Sequence, residues 1–255
     1  MTNRHLFSLF TGLLLSLAAV QGALADAVPS DPPCPTTGTY QDLLNTNGVG
    51  GCTISVGGGA SLTFSDFTFT PAGVGSPNAS QVGYFLDDPG VGAGGDIWGF
   101  EFNPGLAVSG PNANQDLLLT YKVVPVGASI VSVDLLENAA ATGSGVGEVS
   151  ENLMFCIASD PNNTSGTCRN FGGNPLFVTT GPPPDLEAIA RFGPWTSMTV
   201  SKDIDAFTGA GGGTASISQV RNAIDLTAVP EPSTYGLFSV GILAIGYFSR
   251  HRRAR

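Results

Sequence analysis

The chain has 255 residues, of which 42% are hydrophobic and 12% charged, and its formal net charge is −10. Residues 26–229 carry 19 acidic and five scattered basic side chains, which excludes the clustered Lys and Arg that nucleic-acid phosphates require and disfavours an anionic lipid surface. Histidine occurs only at positions 5 and 251, so residues 26–229 can build neither a Ser-His-Asp or Cys-His triad nor a His-ligated metal site.

The first 25 residues read as a secretory signal. Arg4 and His5 give a mildly positive start. Leu6 to Val20 is apolar apart from Ser8, Thr11, Gly12 and Ser16. Ala23-Leu24-Ala25 then sets small residues two apart, the pattern signal peptidase accepts, and cleavage is expected after Ala25. An uncleaved anchor is the competing reading, and the short run fits it less well.

Export places residues 26–229 outside the cytoplasm, and 204 residues suit one all-β domain. Its four cysteines are Cys34, Cys52, Cys156 and Cys168. An even count in an oxidising compartment argues for two disulfides. Local pairing, 34 with 52 and 156 with 168, is favoured among the three connectivities. A zinc site would need closer spacing or a histidine ligand.

Helical periodicity is nearly absent from this region. Short Val, Ile, Thr and Phe runs alternate with Gly, Asn, Pro and Ser clusters, which predicts strands joined by turns. Tyr40–Leu44 is read as a peripheral helical turn. Strands are predicted at Cys52–Val56 and Leu62–Thr70, with Gly57-Gly58-Gly59 between them. Leu62 and Phe64 are out of phase with Phe67 and Phe69, which predicts a β-bulge near Asp66. Further strands are predicted at Gln81–Leu86, Ile97–Asn103, Asp116–Val124, Ile130–Asn138, Glu148–Ser159, Leu176–Thr179, Trp195–Asp205 and Ala215–Thr227. Asp185–Ala190 is read as a second peripheral turn, after a rigid loop at Pro182-Pro183-Pro184. The fold expected is a single antiparallel β-sandwich or jelly roll, with no internal repeat and no second domain.

Chemistry has few candidates. No G-x-S-x-G elbow, phosphate loop or H-E-x-x-H motif is present, and no cofactor or metal is expected. Glu101, Asp134, Glu137, Glu148 and Glu151 are candidates for a glycosidase carboxylate pair, set against the plainer reading of solvated acids on strand faces. Oxygen-rich segments at Asp87–Asp96 and Asp160–Thr167 suit calcium in principle, but ordinary turns explain them better. Trp98 and Trp195 are candidates for a sugar-binding platform, with Phe100 and Phe102 beside Trp98. Alternate aromatics on a strand also make a core face.

The C-terminus carries a three-part signal. Pro230-Glu231-Pro232 is rigid and extended, because proline fixes its own φ and restricts the residue before it. Tyr235 to Phe248 is an apolar run of 14 residues, about 21 Å as a helix against a hydrocarbon core of about 30 Å. A marginal transmembrane helix at about 233–249 is expected. Arg250, Arg252, Arg253 and Arg255 form the basic stop, held on the cytoplasmic side.

This tail resembles the PEP-CTERM sorting signal of exopolysaccharide-producing Gram-negative bacteria, which has the same three parts in the same order. The resemblance covers about a tenth of the chain. It implies recognition by exosortase, an integral-membrane processing enzyme, with cleavage near the motif. The organisation expected is therefore a signal peptide at 1–25, a β-sandwich at 26–229 and the sorting signal at 230–255. The function expected is that of an exported, non-catalytic surface or matrix protein, first anchored in the inner membrane and then released to the cell surface or beyond. The alternatives are an exopolysaccharide-binding module and a carboxylate-dependent glycoside hydrolase.

Overall fold

The computed structural model describes residues 31–57, 59–87, 97–156, 168–170 and 176–228. These form β1 (Thr37–Thr39), α1 (Tyr40–Thr46), β2 (Cys52–Gly57), β3 (Ala60–Gly73), β4 (Gly83–Asp87), β5 (Ile97–Asn103) and β6 (Leu106–Ser109). They continue with β7 (Asn114–Val126), β8 (Ala128–Cys156), β9 (Cys168–Asn170), β10 (Leu176–Thr179), β11 (Glu187–Trp195) and β12 (Met198–Ala228). The strands join in one 12-stranded antiparallel sheet, so the all-β expectation holds. Among the described residues no helix is long and apolar enough to cross a membrane, and the expected span at 233–249 lies outside them.

Two long strands organise the sheet. β8 and β12 pair along nearly their whole length, from Ala128 opposite Ala228 to Phe155 opposite Met198. The sequence predicts two strands in each of these places, and each is instead one bent strand. Glycine permits the bend. Thr208 pairs with Gly145 and Gly213 with Gly143, so residues 209–212 are absorbed opposite residue 144. Gly213 has φ +143°, and a Cβ there would lie 2.2 Å from the Thr142 carbonyl oxygen. A side chain is thus excluded twice over, by backbone conformation and by space.

Past the bend, β12 changes neighbours. Residues 198–207 pair with β7 on one side, whereas 214–217 pair with β6 and 220–225 with β5. The sheet doubles over, and its two halves pack face to face as a β-sandwich. One layer contains β2, β3, β7 and the first half of β12. The other contains β1, β4, β5, β6 and the second half of β12. The Phe64 ring from β3 lies 4.7 Å from Phe100 of β5, edge on, and Tyr121 of β7 lies 6.1 Å from Phe100.

The predicted bulge is present. Asp66 has φ +55°, and the β3–β7 register shifts between Ser65 and Thr68. The bulge resets the phase, so Phe67 joins Leu62 and Phe64 in the core. Asn47 completes it: its amide donates to the Phe67 carbonyl at 2.8 Å and its Oδ1 accepts from the Phe67 N–H at 2.9 Å. Backbone groups that the slipped ladder leaves open are satisfied in this way.

Both predicted helical turns need correction. α1 exists, capped by Asp42 accepting the Thr39 N–H at 2.8 Å, but it is not peripheral. Tyr40 and Leu43 are fully buried, and Tyr40 packs against Phe67, Phe69 and Phe102. Asp185–Ala190 is not helical: β11 begins at Glu187 and pairs with β8. Its alternation is masked by Ala188 and Ala190, which are too small to mark a buried face.

Candidate functional site

Three groups of polar side chains stand out, one in the interior and one on each outer face. The interior group begins with Lys202. Val200, Lys202, Ile204 and Ala206 share the inward face of β12, and all are fully buried. Register sets Lys202 directly opposite Glu151 of β8, and the two form an ion pair with neither exposed. Asn222 reaches across from the other layer: its Nδ2 donates to Glu151 Oε1 at 3.0 Å, and its Oδ1 accepts from the Tyr121 hydroxyl. Burial pushes the Lys202 ammonium pKa down, while Glu151 pulls it back up. Burial drives the Tyr121 hydroxyl pKa well up, with the Glu151 charge adding to it. The network pins the two layers in one register.

Glu137 also faces inward from β8 and is 6% exposed, yet neither of its carboxylate oxygens has a hydrogen-bond partner. Its Oε1 lies against Gly147, where an added Cβ would approach it to 3.1 Å. Burial first, and then the charge of Glu148, raise its pKa to about 7.

The outer face of the β7 layer carries a carboxylate row. Asp205 of β12 is flanked in register by Asp116 of β7 and Glu148 of β8, so three acids sit on adjacent strands about 5 Å apart. Asp203 lies two residues along. Burial, then a hydrogen bond with Asp203, raises Asp116 to about 7. Burial and the charges of Glu148 and Asp203 raise Asp205 to about 6, although the Asn114 amide donates to it at 3.0 Å. Glu148 is raised by burial and by Asp203. Among the described residues no three His, Cys, Asp or Glu side chains converge to hold a metal ion.

The outer face of the β5 layer carries a groove of about 370 Å³, lined by Asp87, Glu101, Leu136, Glu137, Asn138, Gln219 and Arg221. Arg221 Nε donates to Asp87 Oδ2. In register, Phe85, Glu101, Arg221 and Leu136 form one rung across β4, β5, β12 and β8. Phe85 is 49% exposed. Asp134, also on this face, is raised by burial and by the charges of Asp225 and Glu187.

The sequence candidates therefore scatter. Glu151 is interior and ion-paired, Glu137 is interior and unpaired, Glu148 joins the outer row, and Glu101 lines the groove. Trp98 offers no sugar platform: it is 2% exposed in the core beside Phe100 and Phe102. Trp195 is half-buried and stacks on Phe155 at 5.0 Å. Cys34 and Cys52 form the expected disulfide. Residues 156 and 168 are opposite in the β8–β9 register, but their side chains lie outside the described residues. So do Ala23, Ala25, Pro230, Glu231, Pro232, Arg250, Arg252, Arg253 and Arg255.

Lys202, Asn222, Tyr121, Asp116, Asp203 and Asp205 were not singled out from the sequence. One signal was available. In Val200-Ser201-Lys202-Asp203-Ile204-Asp205, alternation puts Lys202 on the apolar face and both acids on the polar one.

No curated protein matches the chain. Its fold has distant likenesses among solved structures. One is TmCBM61 in complex with β-1,4-galactotriose, at 12% identity, covering 63% of this chain and 88% of that one, with a TM-score of 0.26. Another is the enzymatically active domain of bacteriophage CBA120 tailspike protein 4, at 12% identity, covering 62% of this chain and 19% of that one, with a TM-score of 0.26. A third is the family 11 xylanase from Neocallimastix patriciarum, at 11% identity, covering 62% and 100%, with a TM-score of 0.22. Scores this low decide neither fold nor activity. The C-terminus is different, because residues 228–253 match the family model of the PEP-CTERM protein-sorting motif. The protein therefore ends in a PEP-CTERM sorting signal, which implies export and handling by exosortase.

Proposed function

We propose that this is an exported, non-catalytic protein of the cell surface or extracellular matrix. Residues 230–255 hold it first in the inner membrane, and exosortase then releases it. The observation that carries this reading is where the sorting motif begins: β12 ends at Ala228 and the matched motif starts at residue 228. Every described strand precedes the Pro-Glu-Pro segment. Cleavage there would detach the tail and leave the sandwich whole. The interior Glu151 is bound to Lys202 and sealed from solvent, which supports a structural role for it.

Replacing Pro230, Glu231 and Pro232 by alanine in the native host tests the reading. The substituted protein should stay full-length in the membrane fraction, while the parent appears shortened and released. Equal release of both forms would defeat it.

A carboxylate-dependent glycoside hydrolase is the second reading, favoured by the outer row. Asp116, raised to about 7, and Asp205, raised to about 6, are opposite in register on adjacent strands, and a carboxyl pair with raised pKa values is the kind of group that acid–base hydrolysis uses. Release of reducing ends from neutral polysaccharides, abolished by Asp116→Asn, would establish this reading and overturn the non-catalytic one.

A further inference from the structure

The groove on the outer face of the β5 layer is the built feature that neither sorting nor core packing uses. Its size, about 370 Å³, falls within the roughly 300–1,000 Å³ of ligand sites. Its lining is mostly polar, and an exposed ring on the neighbouring strand stands next to it. Arg221, Asp87, Glu101, Asn138 and Gln219 each end in a planar group with paired donors or acceptors. Such groups bind two neighbouring hydroxyls at once, as they bind other forked partners. Phe85 stands in the same rung, opposite Glu101, with its ring half in water. Phe85 is not needed to close the core, since β4 and β5 bury Tyr84, Trp98, Phe100 and Phe102 on the other face.

Charge narrows the occupant. Arg221 is already paired with Asp87, and Glu101 and Glu137 add two more carboxyl groups to the lining, neither with an ion-pair partner among the described residues. Phosphate, sulfate and uronate groups would meet net repulsion from this lining. A ligand rich in hydroxyls, uncharged, and with one apolar face suits it.

We propose that this groove is a binding site for a neutral glycan chain, with Phe85 stacking on the apolar face of a pyranose ring and Arg221, Asp87 and Glu101 holding its hydroxyls. The site replaces the Trp98 platform, which the core absorbs. It goes beyond the sorting role and does not depend on it, so retention or release of the tail variant leaves it untouched.

The test is affinity electrophoresis of the full-length protein in a detergent without a sugar headgroup. Separate gels contain dextran, mixed-linkage β-glucan, galactomannan or polygalacturonate. Retardation is expected in at least one neutral gel and not in polygalacturonate. Phe85→Ala and Arg221→Gln should each weaken the retained interaction at least tenfold, while Leu118→Ser on the opposite outer face leaves it unchanged. Phe85 is exposed, so its variant keeps the test valid if loss of Arg221 perturbs folding. No retardation in any neutral gel would overturn the proposal, as would stronger retention by polygalacturonate or retention insensitive to Phe85→Ala.

Discussion

Glu151 and Glu137 are the same residue type on the same strand, both facing the interior, in opposite halves of β8. Glu151 meets Lys202 in register and accepts from Asn222 across the sandwich. Glu137 meets Val220 in register and has no partner for either oxygen. Burial alone therefore does not decide the behaviour of a carboxyl here. What decides it is whether the opposing strand supplies a cation at that rung. The paired glutamate is held in a network that ties the layers together. The unpaired one is raised to about 7 and titrates near neutrality.

The largest test removes the partner that makes the difference. Lys202→Met strands the Glu151 charge in the core and should lower stability by roughly 3–5 kcal/mol, read from urea denaturation at pH 7. Adding Glu151→Gln should recover more than half of that loss, because the amide oxygen still accepts from Asn222. A double variant no better than the single would break the comparison.

The second test reverses it at the unpaired site. Glu137 has a folded pKa of about 7, above the unfolded value of about 4.3. The charged form is thus penalised in the folded state. The penalty is fully developed above pH 7 and vanishes as pH falls toward 4. Glu137→Gln should raise stability by about 2–3 kcal/mol at pH 8 and change it little at pH 4. A loss at pH 8 would show that the carboxylate has a compensating partner.

The smallest effect belongs to the outer row, where water screens the charges. Asp205 stands between Asp116 and Glu148, and like charges directly opposite destabilise a sheet. Asp205→Asn should raise stability by under about 1 kcal/mol at pH 8, with the gain shrinking below pH 6 as the acids protonate. Thermal melts at the two pH values give the comparison. An equal gain at both would mean that packing, and not charge, sets the effect.

Much of the fold is legible along the chain because it depends on local pattern. β5 and β10 lie where alternation places them, at Ile97–Asn103 and Leu176–Thr179. The bulge at Asp66 follows from the phase of four apolar residues. β6, β9 and β11 are less legible, being short or marked by alanine. The candidate sites are harder still. Glu151 and Lys202 are 51 residues apart, and Phe85 and Arg221 share a rung only through β5.

The sequence by itself determined the β class and the sorting signal at residues 228–253, because each is written in neighbouring residues, whereas it favoured the pairing of Cys34 with Cys52 among three connectivities and the structure decided it. Only the tertiary structure decided that β8 and β12 run unbroken through their glycines, and that the sheet folds back on itself. That doubling buries Trp98, pairs one inward glutamate and leaves the other alone. The physical reason is that strand register matches residues distant along the chain, and alternation along one strand cannot reveal what lies across from it.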